Sequence, residues 1–194
     1  MFHLPPAAYT LLQKFVFSSD QIDEIIGLLD LRPGEKVLEL GCGTGLLAPH
    51  FLERGFEYWG IDPDQQRIKW AIESNPGGHF LVADALTFEL EQIDGCTKVF
   101  IHNVLHHLSD EECRRLIDRV LALDPNIIFV ATEPKRPTKW WHNPLGNFIC
   151  NLDEGNFVRT LPEWQTLFSD QAKVLRIRRK FHWPVHSLHA RLTR

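Results

Sequence analysis

Glu39-Leu40-Gly41-Cys42-Gly43-Thr44-Gly45 sets one carboxylate and three alternating glycines at the end of an apolar run that opens at Val37. Glycine admits positive φ and lets a ligand reach main chain without a Cβ in the way, and a helix opening after such a loop offers unpaired N–H donors. The chemistry this suits is the holding of a polar ligand against backbone. A dinucleotide fingerprint, Gly-x-Gly-x-x-Gly, needs its third glycine where Leu46 stands, which argues against a nicotinamide enzyme. Two more carboxylates follow. Asp62 comes 21 residues after Gly41, in Gly60-Ile61-Asp62-Pro63, and Asp84 opens Asp84-Ala85-Leu86. A carboxylate at the end of a second strand accepts two neighbouring hydroxyls, as a ribose has; read singly, Asp62 is a turn residue and Asp84 a helix cap. His102, Asn103, His106 and His107 stand together, and Glu133 precedes Pro134. Histidine suits proton removal near neutral pH, with Glu133 as the alternative base or amine-orienting anion.

These residues need strand ends to carry them. Ser18 and Gln21 have capping-box spacing ahead of an apolar stripe at Ile22, Ile25, Ile26 and Leu29, which predicts a helix over 20–30. Strands are expected over 36–40, 56–61, 79–83, 97–103 and 126–132. Helices are expected between them over 46–54 and 64–74, the latter with Ile68, Ala71 and Ile72 inward. Ser109 and Glu112 form a second capping box before an inward stripe at Cys113, Leu116, Ile117, Val120 and Leu121. Alternation of this kind predicts a doubly wound parallel sheet with helices on both faces. Ligands bind outside the carboxyl ends of such strands, where Glu39, Asp62, Asp84, His106 and Glu133 all fall.

Glu39-x-Gly41-x-Gly43-x-Gly45, with Asp62 and Asp84 in order behind it, resembles motif I and the following strand ends of the class I S-adenosylmethionine (SAM) dependent methyltransferases. By motif the resemblance covers roughly residues 34 to 134. It implies SAM as cofactor and S-adenosylhomocysteine as product. The residues it implies at the cofactor are Glu39, Gly41, Cys42, Gly43, Gly45, Asp62, Pro63, Asp84, Ala85 and Asn103. It implies methyl transfer to an oxygen or nitrogen of a small molecule or biosynthetic intermediate, with His106, His107 or Glu133 as catalytic candidates. It further implies a fold closed by an antiparallel C-terminal hairpin, here over 172–183 and 187–193, on a mostly parallel seven-stranded sheet. Residues 1–31 are then an N-terminal helical cover bearing Tyr9, and 135–170 an aromatic-rich insertion on the acceptor side, with a helix over 160–169. Trp140, Trp141, His142 and Arg159 are its candidate substrate contacts, the last reading a carboxylate or phosphate. The aromatics serve equally well as packing. Two other readings stay open: a SAM-binding regulatory or scaffold protein without turnover, and a methyltransferase for RNA or protein. Nucleic-acid amine methylases commonly carry Asn or Asp-Pro-Pro-Tyr or Phe after strand four, where this chain has Asn103-Val104-Leu105-His106, which lowers the nucleic-acid option.

At 194 residues, 44% hydrophobic and 24% charged, the composition fits one soluble domain over 1–194 with a real core. The start lacks the basic and apolar regions of a signal peptide, and no apolar run is long enough to span a membrane, so a cytoplasmic protein is expected. Cys42, Cys96, Cys113 and Cys150 are widely spaced, which suggests reduced thiols and neither zinc nor disulfides. His102, His106 and His107 have no carboxylate or Cys at ligand spacing, so no metal is expected. The net charge of −4 hides seven Lys or Arg without an acid from Lys173 to Arg194, a solvated strand face or a surface for an anionic partner. Oligomeric state is not legible.

Overall fold

The computed structural model describes residues 19–137, 139, 141, 143–145, 156–168, 172–178 and 186–193. Residues 1–18 with Tyr9, the Ser18 half of the first capping box, Trp140 and His142 lie outside them. The elements run α1 (Ser19–Leu29), β1 (Lys36–Leu40), α2 (Ala48–Leu52), β2 (Glu57–Asp62), α3 (Gln65–Ser74), β3 (His79–Val82), β4 (Lys98–His102), α4 (Asp110–Ala122), β5 (Ile128–Lys135), α5 (Leu161–Phe168), β6 (Ala172–Arg178) and β7 (His186–Leu192). Strand order is β3-β2-β1-β4-β5-β7-β6. The sheet is mixed, mostly parallel with an antiparallel C-terminal pair, on a Rossmann-like α/β plan. Two compact units divide the chain, one reaching to Phe100 and the other from Ile101 onward.

In the first unit β1, β2 and β3 pair in parallel, Leu40 beside Ile61 and Asp62 beside Val82. Val37, Leu38 and Leu40 are buried, as a strand covered on both faces requires. Phe51 stacks on Phe100 with centroids 5.0 Å apart, and Tyr58 lies against Phe51 and Phe80 at 5.8 and 5.7 Å. On α1 the stripe buries Ile22, Ile25 and Leu29. On α3 it is narrower than the sequence suggests: Ile68 and Ala71 are buried, but Ile72 is 52% exposed, because one further residue turns about 100° around the helix and leaves the packed face. Asp64 caps this helix, its side chain accepting from Gln66 N and Arg67 N.

After Gly45 the expected long helix does not form at once. Gly45 N donates to Cys42 O, Ala48 N to Gly45 O and His50 N to Leu47 O, so a run of tight turns leads into a helix of only five residues. Pro49, in its first turn, contributes no N–H.

In the second unit α4 carries the capping box at Ser109 and Glu112 and buries Cys113, Leu116, Ile117, Val120 and Leu121. β5 extends three residues past the expected Thr132, through Glu133, Pro134 and Lys135. The reason is β7, which pairs antiparallel with β5 from Phe129↔Leu192 to Lys135↔His186 and holds the strand extended. β7 pairs antiparallel with β6 on its other side. Trp164 and Phe168 of α5, stacked at 5.5 Å, are wholly buried.

Gly45 has φ +69, and a Cβ there would meet Asn75 Nδ2 at 2.8 Å and Ala71 Cβ and Phe80 Cε1 at 3.1 Å. Gly45→Ala is therefore expected to cost about 1–3 kcal/mol, from left-handed backbone and crowding together. Urea unfolding measures it; an unchanged midpoint would contradict the geometry.

Candidate functional site

The glycine corner is built from the ends of β1 and β2. Gly41, Gly43 and Gly45 all take positive φ, at 75°, 55° and 69°, so the alternation read in the sequence is a repeated left-handed turn. Gly41 N and Cys42 N both donate to Ile61 O, at 2.8 and 2.9 Å, tying the loop to β2. Asp62 completes the tie: its Oδ2 accepts from Gly43 N and its Oδ1 from Asp64 N, each at 2.9 Å. A carboxylate has roughly four acceptor positions, so Asp62 keeps capacity beyond these two bonds. It is 5% exposed; burial raises its affinity for a proton, while the Asp64 and Gly43 N–H groups and the Arg67 charge oppose that. On the far side of the loop Asn75 Nδ2 donates to Gly45 O at 3.2 Å and to Ala71 O at 3.0 Å. In the sequence Asn75 reads only as a helix terminator ahead of Pro76-Gly77-Gly78; its burial, at 5% exposed, comes from packing against Gly45. Gly60, inside β2, carries no such signal in the sequence. A Cβ there would come within 2.8 Å of Cys42 Sγ, so glycine at 60 is what admits the Cys42 side chain.

Glu39 is 3% exposed and accepts a hydrogen bond from the Tyr58 hydroxyl. Desolvation pushes its carboxyl up to about 8; the Tyr58 bond opposes the rise and the nearby Asp62 charge adds to it. Tyr58 and Cys42 are pushed up by burial and then by the Glu39 charge. This is a buried acidic cluster that a cation would stabilise. Asp84 is exposed just past β3, where its Oδ1 accepts from Leu86 N at 2.8 Å. Ala85 follows in the same turn, and Pro63 is exposed between Asp62 and Asp64.

In the second unit Asn103 follows β4 in left-handed backbone, φ 55°, which asparagine tolerates better than most residues. Its N–H still reaches Thr132 O at 2.8 Å, and its Nδ2 lies 2.9 Å from His102 Nε2. The next residues wrap around Glu133. Glu133 Oε1 accepts from Val104 N at 2.9 Å and Leu105 N at 2.8 Å. Glu133 Oε2 accepts from His106 N at 3.4 Å and sits 2.7 Å from His106 Nδ1. Glu133 is 0% exposed and His106 3%. The carboxylate expected as a base is thus a buried hub with four donors around it. His107 is exposed, its ring 4.2 Å from that of His106.

Arg159 departs from expectation most clearly. It is 5% exposed. Nε donates to Asp110 Oδ1 at 2.9 Å, Nη1 to Leu105 O at 3.0 Å and Phe157 O at 3.1 Å, and Nη2 to Leu108 O at 2.7 Å while pairing with Asp110 Oδ1 at 2.8 Å. A guanidinium has five N–H donors, and this geometry uses them all. Arg159 fastens the 105–110 turn and has no donor left to read a substrate anion. Trp141 is 60% exposed, with Lys139 Nζ 5.6 Å from its ring centre. Among the described residues no His, Cys, Asp and Glu group is arranged to hold a metal, and no helix is long and apolar enough to cross a membrane.

Glu39 binds its proton more tightly when folded than when unfolded. Stability from that proton is full below about pH 4.5 and is lost as pH rises toward 8, a change on the order of 3 kcal/mol by pH 7. Glu39→Gln, which keeps the shape without the titration, should flatten this slope. Urea midpoints of the ligand-free chain at about pH 5.5 and pH 8 read it; equal slopes in both proteins would place the effect elsewhere.

A family model described as a methyltransferase domain matches residues 37–123. An uncharacterized methyltransferase of Bacillus subtilis (strain 168), YrrT, is 34% identical over 114 residues, 57% of this chain and 53% of that protein. The chain spans about half the length of the curated relatives it matches. The fold is similar to that of human N-acetylserotonin methyltransferase in complex with SAM, with TM-score 0.68, 18% identity and coverage of 97% of this chain and 56% of that one. It is likewise similar to the YcgJ protein of Bacillus subtilis, with TM-score 0.67, 16% identity and coverage of 91% and 99%. The glycine motif lies inside the stretch, residues 37–123, that is similar to a methyltransferase domain, and the fold of the chain is similar to that of solved structures of which one holds SAM.

Proposed function

We propose that the chain binds SAM at the glycine corner and moves its methyl group to an oxygen or nitrogen of a small molecule, in the cytoplasm, in keeping with the wide spacing of its four cysteines. The observation that carries the reading is the Asp62 carboxylate bonded to Gly43 N beside three left-handed glycines. That set suits a nucleoside with a charged tail. Asp62 has acceptor positions for two ribose hydroxyls. Glu39, held protonated by burial, gives up that proton readily beside an ammonium. Asp84 and the Ala85 N–H, past β3, suit an amino group and ring nitrogen of a base; Cys42 and Pro63, just past β1 and β2, are proposed cofactor neighbours, and Asn103 is proposed as a further one.

When bound, SAM supplies an electrophilic methyl on a sulfonium. The protein's task is then positioning, which alone accounts for roughly 7–11 kcal/mol of such a barrier. A hydroxyl or protonated amine must also lose a proton. His106 is the proposed acceptor of that proton. With Nδ1 against Glu133 Oε2, the ring carries its hydrogen on Nδ1 and its lone pair on Nε2. Glu133 is assigned a positioning role, since it orients His106 and holds the backbone of 104–106. His107 is the alternative, and Trp141 a proposed acceptor-side surface.

Calorimetry with S-adenosylhomocysteine and with NAD tests the cofactor. Binding of the first alone is expected, with affinity about 10–100-fold weaker in Asp62→Ala; NAD binding alone would overturn the reading. Enzyme and scaffold separate on turnover of SAM against an acceptor panel. His106→Gln should cut kcat by about 100-fold or more with S-adenosylhomocysteine binding retained. If only His107→Gln slows turnover, the proton role moves to His107; if neither does, positioning is sufficient.

A further inference from the structure

Arg136 and Arg159 are joined by the bond from Arg136 N to Arg159 O at 2.9 Å, yet their side chains differ entirely. Arg159 spends every donor inside the protein. Arg136, directly past the end of β5, has a buried Nε with no hydrogen-bond partner and enters none of the ion pairs found among the described residues. A buried guanidinium nitrogen without an acceptor is costly and calls for a group that satisfies it. The residue as a whole is only half-buried, so a solute can reach it. Among the described residues Glu163 feels the Arg136 charge but accepts instead from Thr160 N at 2.6 Å and Thr160 Oγ1 at 2.8 Å. From Pro134 to Leu152 the sequence holds Lys135, Arg136 and Lys139 and no Asp or Glu. β5 therefore delivers Glu133, the hub of the His106 turn, and three residues later a guanidinium in an acid-free stretch.

We propose that Arg136 binds an oxyanion, a carboxylate or phosphate group, carried by the methyl acceptor. A guanidinium offers two parallel N–H donors that match either group, and it keeps its charge at every working pH. The acceptor class is thereby narrowed to small acids and phosphate esters whose nucleophile lies elsewhere on the molecule. This rests on the reading of the chain as a small-molecule methyltransferase.

The test titrates the full-length chain at low ionic strength with inorganic phosphate and, separately, with acetate, followed by calorimetry with chloride as control. Saturating S-adenosylhomocysteine is present throughout, so that the glycine corner does not take up the anion. The wild type is expected to bind at least one of the two saturably. Binding should weaken about tenfold in Arg136→Gln, less in Arg136→Lys, and not at all in Arg115→Gln, which alters an exposed arginine paired with Glu111 at 3.2 Å. Preference for phosphate points to a phosphate ester and preference for acetate to a carboxylic acid. Equal binding in wild type and both Arg136 variants, or no saturable binding in wild type, overturns the proposal. S-adenosylhomocysteine affinity, read on the same samples, reports folding of each variant and separates the outcomes: if the wild type fails to bind it while phosphate or acetate binding still depends on Arg136, the cofactor reading has failed and the anion site stands.

Discussion

One carboxylate governs the geometry of the first unit. Asp62 ends β2 with one oxygen on Gly43 N and the other on Asp64 N, so the same side chain closes the glycine loop and starts the turn into α3. It adds to the bonds from Gly41 N and Cys42 N to Ile61 O and from Asn75 to Gly45 O in fixing three alternating left-handed glycines. Glycine loses more conformational freedom on folding than any other residue, so a triple-glycine loop needs such fastening from outside. The price is an acid buried beside another acid: the Asp62 charge adds to the rise in proton affinity that burial imposes on Glu39, and the Glu39 charge in turn raises Tyr58 and Cys42. A cationic ligand relieves that repulsion, which couples the stability of the corner to the charge of what binds there.

The second unit repeats the device with different partners. After Asn103 the chain leaves β4 in left-handed backbone and would present a row of unpaired N–H and C=O groups. Glu133 takes the N–H groups of Val104, Leu105 and His106, and Arg159 takes the C=O groups of Leu105 and Leu108. Acid and base thus divide the two halves of one short turn. Mutating either would disturb His106 through backbone, which is why a kinetic role for Glu133 has to be read from its effect on orientation rather than on proton transfer.

Local chemistry carried most of the reading from sequence. The capping box at Ser109 and Glu112, the glycine spacing, and Asp62 at the end of β2 depend on neighbours a few residues apart or on one repeated strand-turn-helix unit, so their signals sit in contiguous residues. What escaped depends on distant partners. β5 runs through Pro134 because β7 pairs with it, from residues more than 50 positions later. Arg159 looked like an anion reader because an arginine in a loop of Asp, Glu and Asn shows nothing of three carbonyl oxygens and Asp110 waiting around it. Ile72 sits at the border of its helical stripe, where a hydrophobic letter alone does not decide which side it faces.

The 41–45 backbone and Asp62 together are proposed to hold the nucleoside cofactor. Amide hydrogen exchange with and without saturating S-adenosylhomocysteine tests it most directly. Protection is predicted for the N–H groups of residues 41–47 and 62–64 in the liganded chain. Saturable binding that leaves those amides exchanging at the ligand-free rate would contradict the account.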